Sequence, residues 1–105
     1  MEQYTLVLLK HGEKWDRRAP GYMDVMKQLP AFLKQMTEQG HLAIYGGFLR
    51  GSQGDLGGIA IFRVGAEQTA KLVQDDPTVK AGLLKPEIHP WMTGKGVLAP
   101  GQAMK

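Results

Sequence analysis

Two stretches of this chain are apolar at neighbouring positions rather than alternate ones, and they limit what it can fold into. They are residues 3 to 10, QYTLVLLK, and residues 56 to 64, LGGIAIFRV. A strand that alternates needs cover on one face, whereas a strand of this kind needs cover on both. With 105 residues the chain has room for one domain and one core, so few elements are available to supply that cover.

Those elements follow from the remaining pattern. Tyr22, Val25, Met26, Leu29, Phe32, Leu33 and Met36 recur at the spacing of one helical stripe. Pro30 lies inside it and costs about 3 kcal/mol unless the helix kinks or restarts, so a kink is expected near Leu29, with Gly40 as the stop. His41 to Leu49, HLAIYGGFL, reads as a second strand, and Gly46 with Gly47 suggests a bulge or a close approach of other backbone. Arg50 to Asp55, RGSQGD, is turn chemistry that joins this strand to the third as a hairpin. Ala66 to Gln74 is rich in helix formers and stops at Asp75, Asp76 and Pro77. In the last strand, Leu83 to Met92, Pro86 and Pro90 share one parity and withhold donors from the same side, which places that strand at a sheet edge.

The order strand, helix, strand, strand, helix, strand predicts an α+β domain of the ferredoxin-like βαββαβ type with a four-stranded antiparallel sheet. Residues 1–92 form that single domain, and 93–105 a tail containing Gly and Pro. Two helices cover one face of such a sheet. A second copy of the chain packed sheet to sheet is the simplest cover for the other, so a homodimer is expected.

Composition removes several functions. The chain has no cysteine, which excludes disulfides and thiolate chemistry. Its net charge of +3 comes from scattered residues rather than the continuous stripe that phosphate backbones require, so no nucleic acid partner is expected. The apolar run at the N-terminus is interrupted at Lys10, too soon for a leader or a membrane span, and a cytoplasmic protein is expected. No histidines sit at ligand spacing, and no Lys-Ser or Lys-Thr pair follows Gly46 and Gly47. The pattern therefore gives no metal site and no nucleotide cofactor.

Through most of its length the chain resembles the YciI-like (YCII-related) family of the dimeric α+β barrel group. The resemblance runs through LVLLKHGEKW, EQGHLAIYGGF, GIAIFRV and QDDPTVKAGLLKPEIHPW, and DPTVKAG followed by EIHPW is its specific part. It implies the split βαβ fold, a homodimer, a pocket between sheet and helices, and cofactor-free lyase-like or isomerase-like chemistry on small ring compounds. It also implies an acid/base pair of a histidine on the first helix and the Asp of the DP motif. That Asp is Asp76; Leu29 stands where the histidine would be, beside Gln28.

The candidate residues each carry two readings. Asp76 is a general base if its surroundings are apolar, or the cap of the short turn that follows Pro77. His89 shares a strand face with Glu87 and Trp91 and could titrate in place of the missing helix histidine, or it is a structural residue bonded to Glu87. His11 ends strand one, where it lines the pocket mouth with Trp15 as a stacking wall, or faces solvent. Tyr45, Phe48 and Trp91 are expected as pocket walls and His41 as surface. Two functions follow: an enzyme in which Asp76 and His89 move a proton on a cyclic or aromatic molecule, or a non-catalytic small-molecule-binding or accessory homodimer that has lost the dyad.

Overall fold

A computed structural model describes residues 1–49 and 54–98. The chain runs β1 (Glu2–His11), α1 (Tyr22–Glu38), β2 (Leu42–Gly47), β3 (Leu56–Phe62), α2 (Ala66–Val73), α3 (Pro77–Lys80) and β4 (Leu84–Thr93). The strands form one antiparallel sheet in the order β2-β3-β1-β4, the ferredoxin-like α+β architecture. The turn expected over Arg50 to Asp55 lies outside the described residues except at its end, as does the tail from residue 99 onward.

The edge position expected for β4 is observed. It pairs with β1 along its whole length, Leu9 opposite Pro86 and Thr5 opposite Pro90. An unbroken ladder on the inner side leaves the missing proline donors on the outer side, where they also discourage another strand from adding.

Register assigns the faces of the sheet. Val7 and Leu9 of β1 are buried with Ala60, Phe62, Phe32, Met36, Leu42 and Val73 in the core beneath the helices. Their neighbours Leu6 and Leu8 face the other way, beside Ile61, Ile59 and, on β2, Ile44. No described helix covers that second face, and Ile44 is 41% exposed on it. None of the described helices is long and apolar enough to cross a membrane.

Two local expectations are corrected. Helix α1 continues through Pro30 without a restart, because proline removes only one bond of the ladder and Pro30 is exposed. It ends as expected at Gly40, whose φ of 77° lets Gly40 N donate to the Thr37 carbonyl and His41 N to that of Met36, the Schellman arrangement. The irregularity in β2 falls at Ala43, between Leu42 and Ile44, rather than at Gly46 and Gly47. The close approach expected at those glycines comes from within the sheet: a Cβ on Gly58 of β3 would collide with the Gly46 carbonyl oxygen. Finally, the turn after Asp76 is a short helix, α3.

Candidate functional site

A single apolar stripe on α1 does two jobs. Its C-terminal half, Phe32 and Met36, is buried in the core, whereas its N-terminal half, Tyr22, Met26 and Leu29, faces the sheet across a cavity of about 350 Å³. The opposite wall is the β2–β3 hairpin, with Tyr45, Gly46, Gly47, Phe48, Gly57 and Gly58. Glycines keep this wall thin, and side chains at Gly57 or Gly58 would meet the body of the protein. The volume falls in the range of about 300–1,000 Å³ usual for small-molecule sites.

At the edge of this cavity stands a buried carboxylate. Asp76 is 1% exposed and caps α3, a position favoured because Pro77 at the first helical position has no N–H to satisfy. Its Oδ1 accepts from Thr78 N at 2.7 Å and from Thr78 Oγ1 at 2.6 Å. Its Oδ2 accepts from Tyr45 Oη at 2.8 Å. Capping and function are therefore not alternatives: the cap holds one carboxylate oxygen and leaves the other for the tyrosine.

Tyr45 and Thr78 border the cavity, so the group presented to a ligand is the phenol with the carboxylate behind it. Burial, and then the charge of Asp76, push the Tyr45 phenol well above its ordinary 10.0. Tyr45 keeps its proton and cannot by itself act as an ionised base. It reaches Asp76 because of the Ala43 bulge: Leu42 and Tyr45 lie opposite Phe62 and Ala60 respectively, so two residues three apart face the helices together, which regular alternation forbids.

The mouth is aromatic. Trp15 stacks on His11 with ring centroids 4.2 Å apart and meets Tyr22 edge-on at 5.9 Å. The Arg17 guanidinium lies 5.5 Å from the Trp15 ring centre and also lines the cavity. His11 thus supports the wall from behind rather than forming it, while Trp15, Leu29, Tyr45 and Phe48 line it directly.

His89 and Trp91 are elsewhere. They lie opposite Leu6 and Tyr4, on the face turned away from the helices, so the expected partnership of Asp76 with His89 on one molecule is corrected by strand parity. His89 Nε2 lies 2.7 Å from Glu87 Oε1, and Glu87 also pairs with Lys10 at 3.0 Å. The histidine, then the lysine, hold the Glu87 carboxyl below its ordinary range. Trp91 borders a separate open cavity with Tyr4 and Arg63 at the far end of the sheet. Among the described residues no group of three or more His, Asp or Glu could hold a metal.

Tyr22, Met26, Arg17, Thr78 and Leu84 join the site without having been singled out for it. The helix stripe was legible for Tyr22 and Met26, but periodicity does not reveal where a stripe leaves the core. Thr78 carries no signal beyond its place two residues after Asp76.

The architecture defines a class: a ferredoxin-like domain with a cavity between its first helix and the β2–β3 strands. No family model and no curated protein matches the sequence. Among solved structures, the chain is similar to 5-chloro-2-hydroxyhydroquinone dehydrochlorinase of Burkholderia phenoliruptrix, determined in complex with 2,5-dihydroxybenzoquinone. The TM-score is 0.59 at 20% sequence identity, over 88% of this chain and 96% of that one. At that identity the likeness concerns the fold.

Proposed function

We propose that this chain is a cytoplasmic, cofactor-free enzyme of lyase or isomerase type that moves a proton on a small hydroxylated ring compound, and that it belongs with the YciI-like proteins it resembles. The observation that carries the reading is the Tyr45 hydroxyl bonded to buried Asp76 at the wall of an aromatic cavity. The similar structure, a dehydrochlorinase holding a quinone, supports the same class of ligand.

The step is a relay. A ring hydroxyl or ring carbon gives its proton to Tyr45 Oη as the Tyr45 proton passes to Asp76 Oδ2. The bond to the substrate hydrogen breaks, the electron pair stays on the ring, and the carboxylate becomes a carboxylic acid. Tyr45 is neutral before and after, which suits a phenol whose ionised form is disfavoured. Asp76 is the base, and Tyr45 is the group that touches substrate.

Solvent-deuterium incorporation into the ring hydrogens of hydroxyhydroquinone, followed by proton NMR under nitrogen, tests this. Tyr45→Phe and Asp76→Asn should each slow protein-catalysed exchange about a hundredfold or more. Exchange unaffected by both substitutions would remove the relay. A second reading, the non-catalytic binding dimer, is favoured by Leu29: it lines the cavity at the family's histidine position. That reading expects wild-type protein to bind the ring without accelerating exchange.

The uncovered sheet face supports a homodimer. Leu6, Leu8, Ile59 and Ile44 form an apolar strip there around Ile61, which is itself buried, and the prolines of β4 discourage association through that edge. A folded species of single-chain mass in sedimentation at micromolar concentration would count against it.

A further inference from the structure

The cavity is electrically lopsided. Among the described lining residues Arg17 is the one that carries a formal charge, and no described carboxylate lies within ion-pairing distance of it. The adjacent Asp16 accepts a hydrogen bond from Arg18 N instead. The guanidinium lies against Trp15, which is itself braced by His11 and Tyr22. Stacking on a fixed ring pre-orders arginine and leaves its planar donors free for an anion. At the other wall the negative group is Asp76, behind Tyr45. An anion is drawn toward the mouth and repelled from that wall, while a hydroxyl finds an acceptor in Tyr45 Oη.

We infer that the ligand of this cavity is a planar ring with an anionic oxygen substituent held by Arg17 and a protic group on the side turned to Tyr45. The anion sets the orientation and the aromatic walls select the ring. This rests on the proposed use of the cavity and adds to it the charge and direction of the substrate.

4-Hydroxybenzoate and 4-hydroxybenzamide provide the test, because both carry a ring hydroxyl opposite the second group and differ in charge. Titrations monitored by the amide resonances of Tyr45, Gly58 and Trp15 should show wild-type protein binding 4-hydroxybenzoate about tenfold more tightly than 4-hydroxybenzamide, the effect expected of one charge-assisted contact. Arg17→Met, which keeps the aliphatic stem, should bring the two within about twofold by weakening 4-hydroxybenzoate alone, with Arg17→Lys between. Arg18→Met, outside the cavity, should leave the preference unchanged. Equal binding by wild-type protein, no binding of either compound, or a preference that survives Arg17→Met overturns the inference. The proton relay is judged separately by deuterium exchange in Tyr45→Phe, so one can fail while the other stands.

Discussion

The two faces of this sheet are made from the same strands and carry opposite kinds of polar chemistry. On the helix side Asp76, the one buried carboxylate among the described residues, is bonded to Thr78 and to Tyr45, which line a cavity. On the other side Lys10, Glu87 and His89 form a solvent-reached trio amid apolar neighbours. The difference teaches that a titratable residue is placed for chemistry by what lies over it. Histidine is the residue type more often used to move protons, yet the enclosure lies on the helix face and His89 does not.

Substitutions should break this contrast unequally. The largest effect is expected for Asp76→Ala, which leaves Thr78 N, Thr78 Oγ1 and Tyr45 Oη without their acceptor; urea denaturation should show a loss of about 3 kcal/mol. An unchanged midpoint would mean that the carboxylate is not the hub described here. Gly58→Ala should come next, at about 1–3 kcal/mol, because its methyl would push against the Gly46 carbonyl. Ring binding should weaken with it, since both glycines border the cavity.

On the opposite face, Ile44→Glu should leave the fold intact, because Ile44 is already 41% exposed, and convert the proposed dimer to single chains in sedimentation. A dimer that persists would place the contact elsewhere. His89→Ala should alter neither deuterium exchange nor the urea midpoint measurably, and a loss of exchange would reverse the assignment of the two faces.

The smallest effect concerns pH. Since His89 and Lys10 hold the folded Glu87 carboxyl below its ordinary range, its contribution is present above the unfolded carboxylate's pKa. It is lost as pH falls through the lowered folded value. Glu87→Gln should therefore flatten the acid side of the stability profile by lowering stability slightly at neutral pH and leaving the acid end unchanged.

Much of the fold could be read from the chain because it rests on local periodicity. The stripe from Tyr22 to Met36, the Gly40 stop and the Pro86 and Pro90 edge each depend on residues close together in sequence. The partition of that stripe between core and cavity could not be read, since it depends on which sheet residues lie opposite each turn of the helix, side chains in the core and glycines at the cavity. Tyr45 was legible as a wall but not as the partner of Asp76, 31 residues away, because one bulged residue at Ala43 decides which way it points.

What the amino-acid order determined by itself was the four strands, the two longer helices and the surplus of apolar surface on β1 and β3, since hydrophobic spacing and proline chemistry act within a few residues. Tertiary structure alone decided that Asp76 meets Tyr45 and that His89 turns its back on both. A strand has only two faces, and which one receives a side chain is set by register with its neighbours, a property no strand possesses on its own.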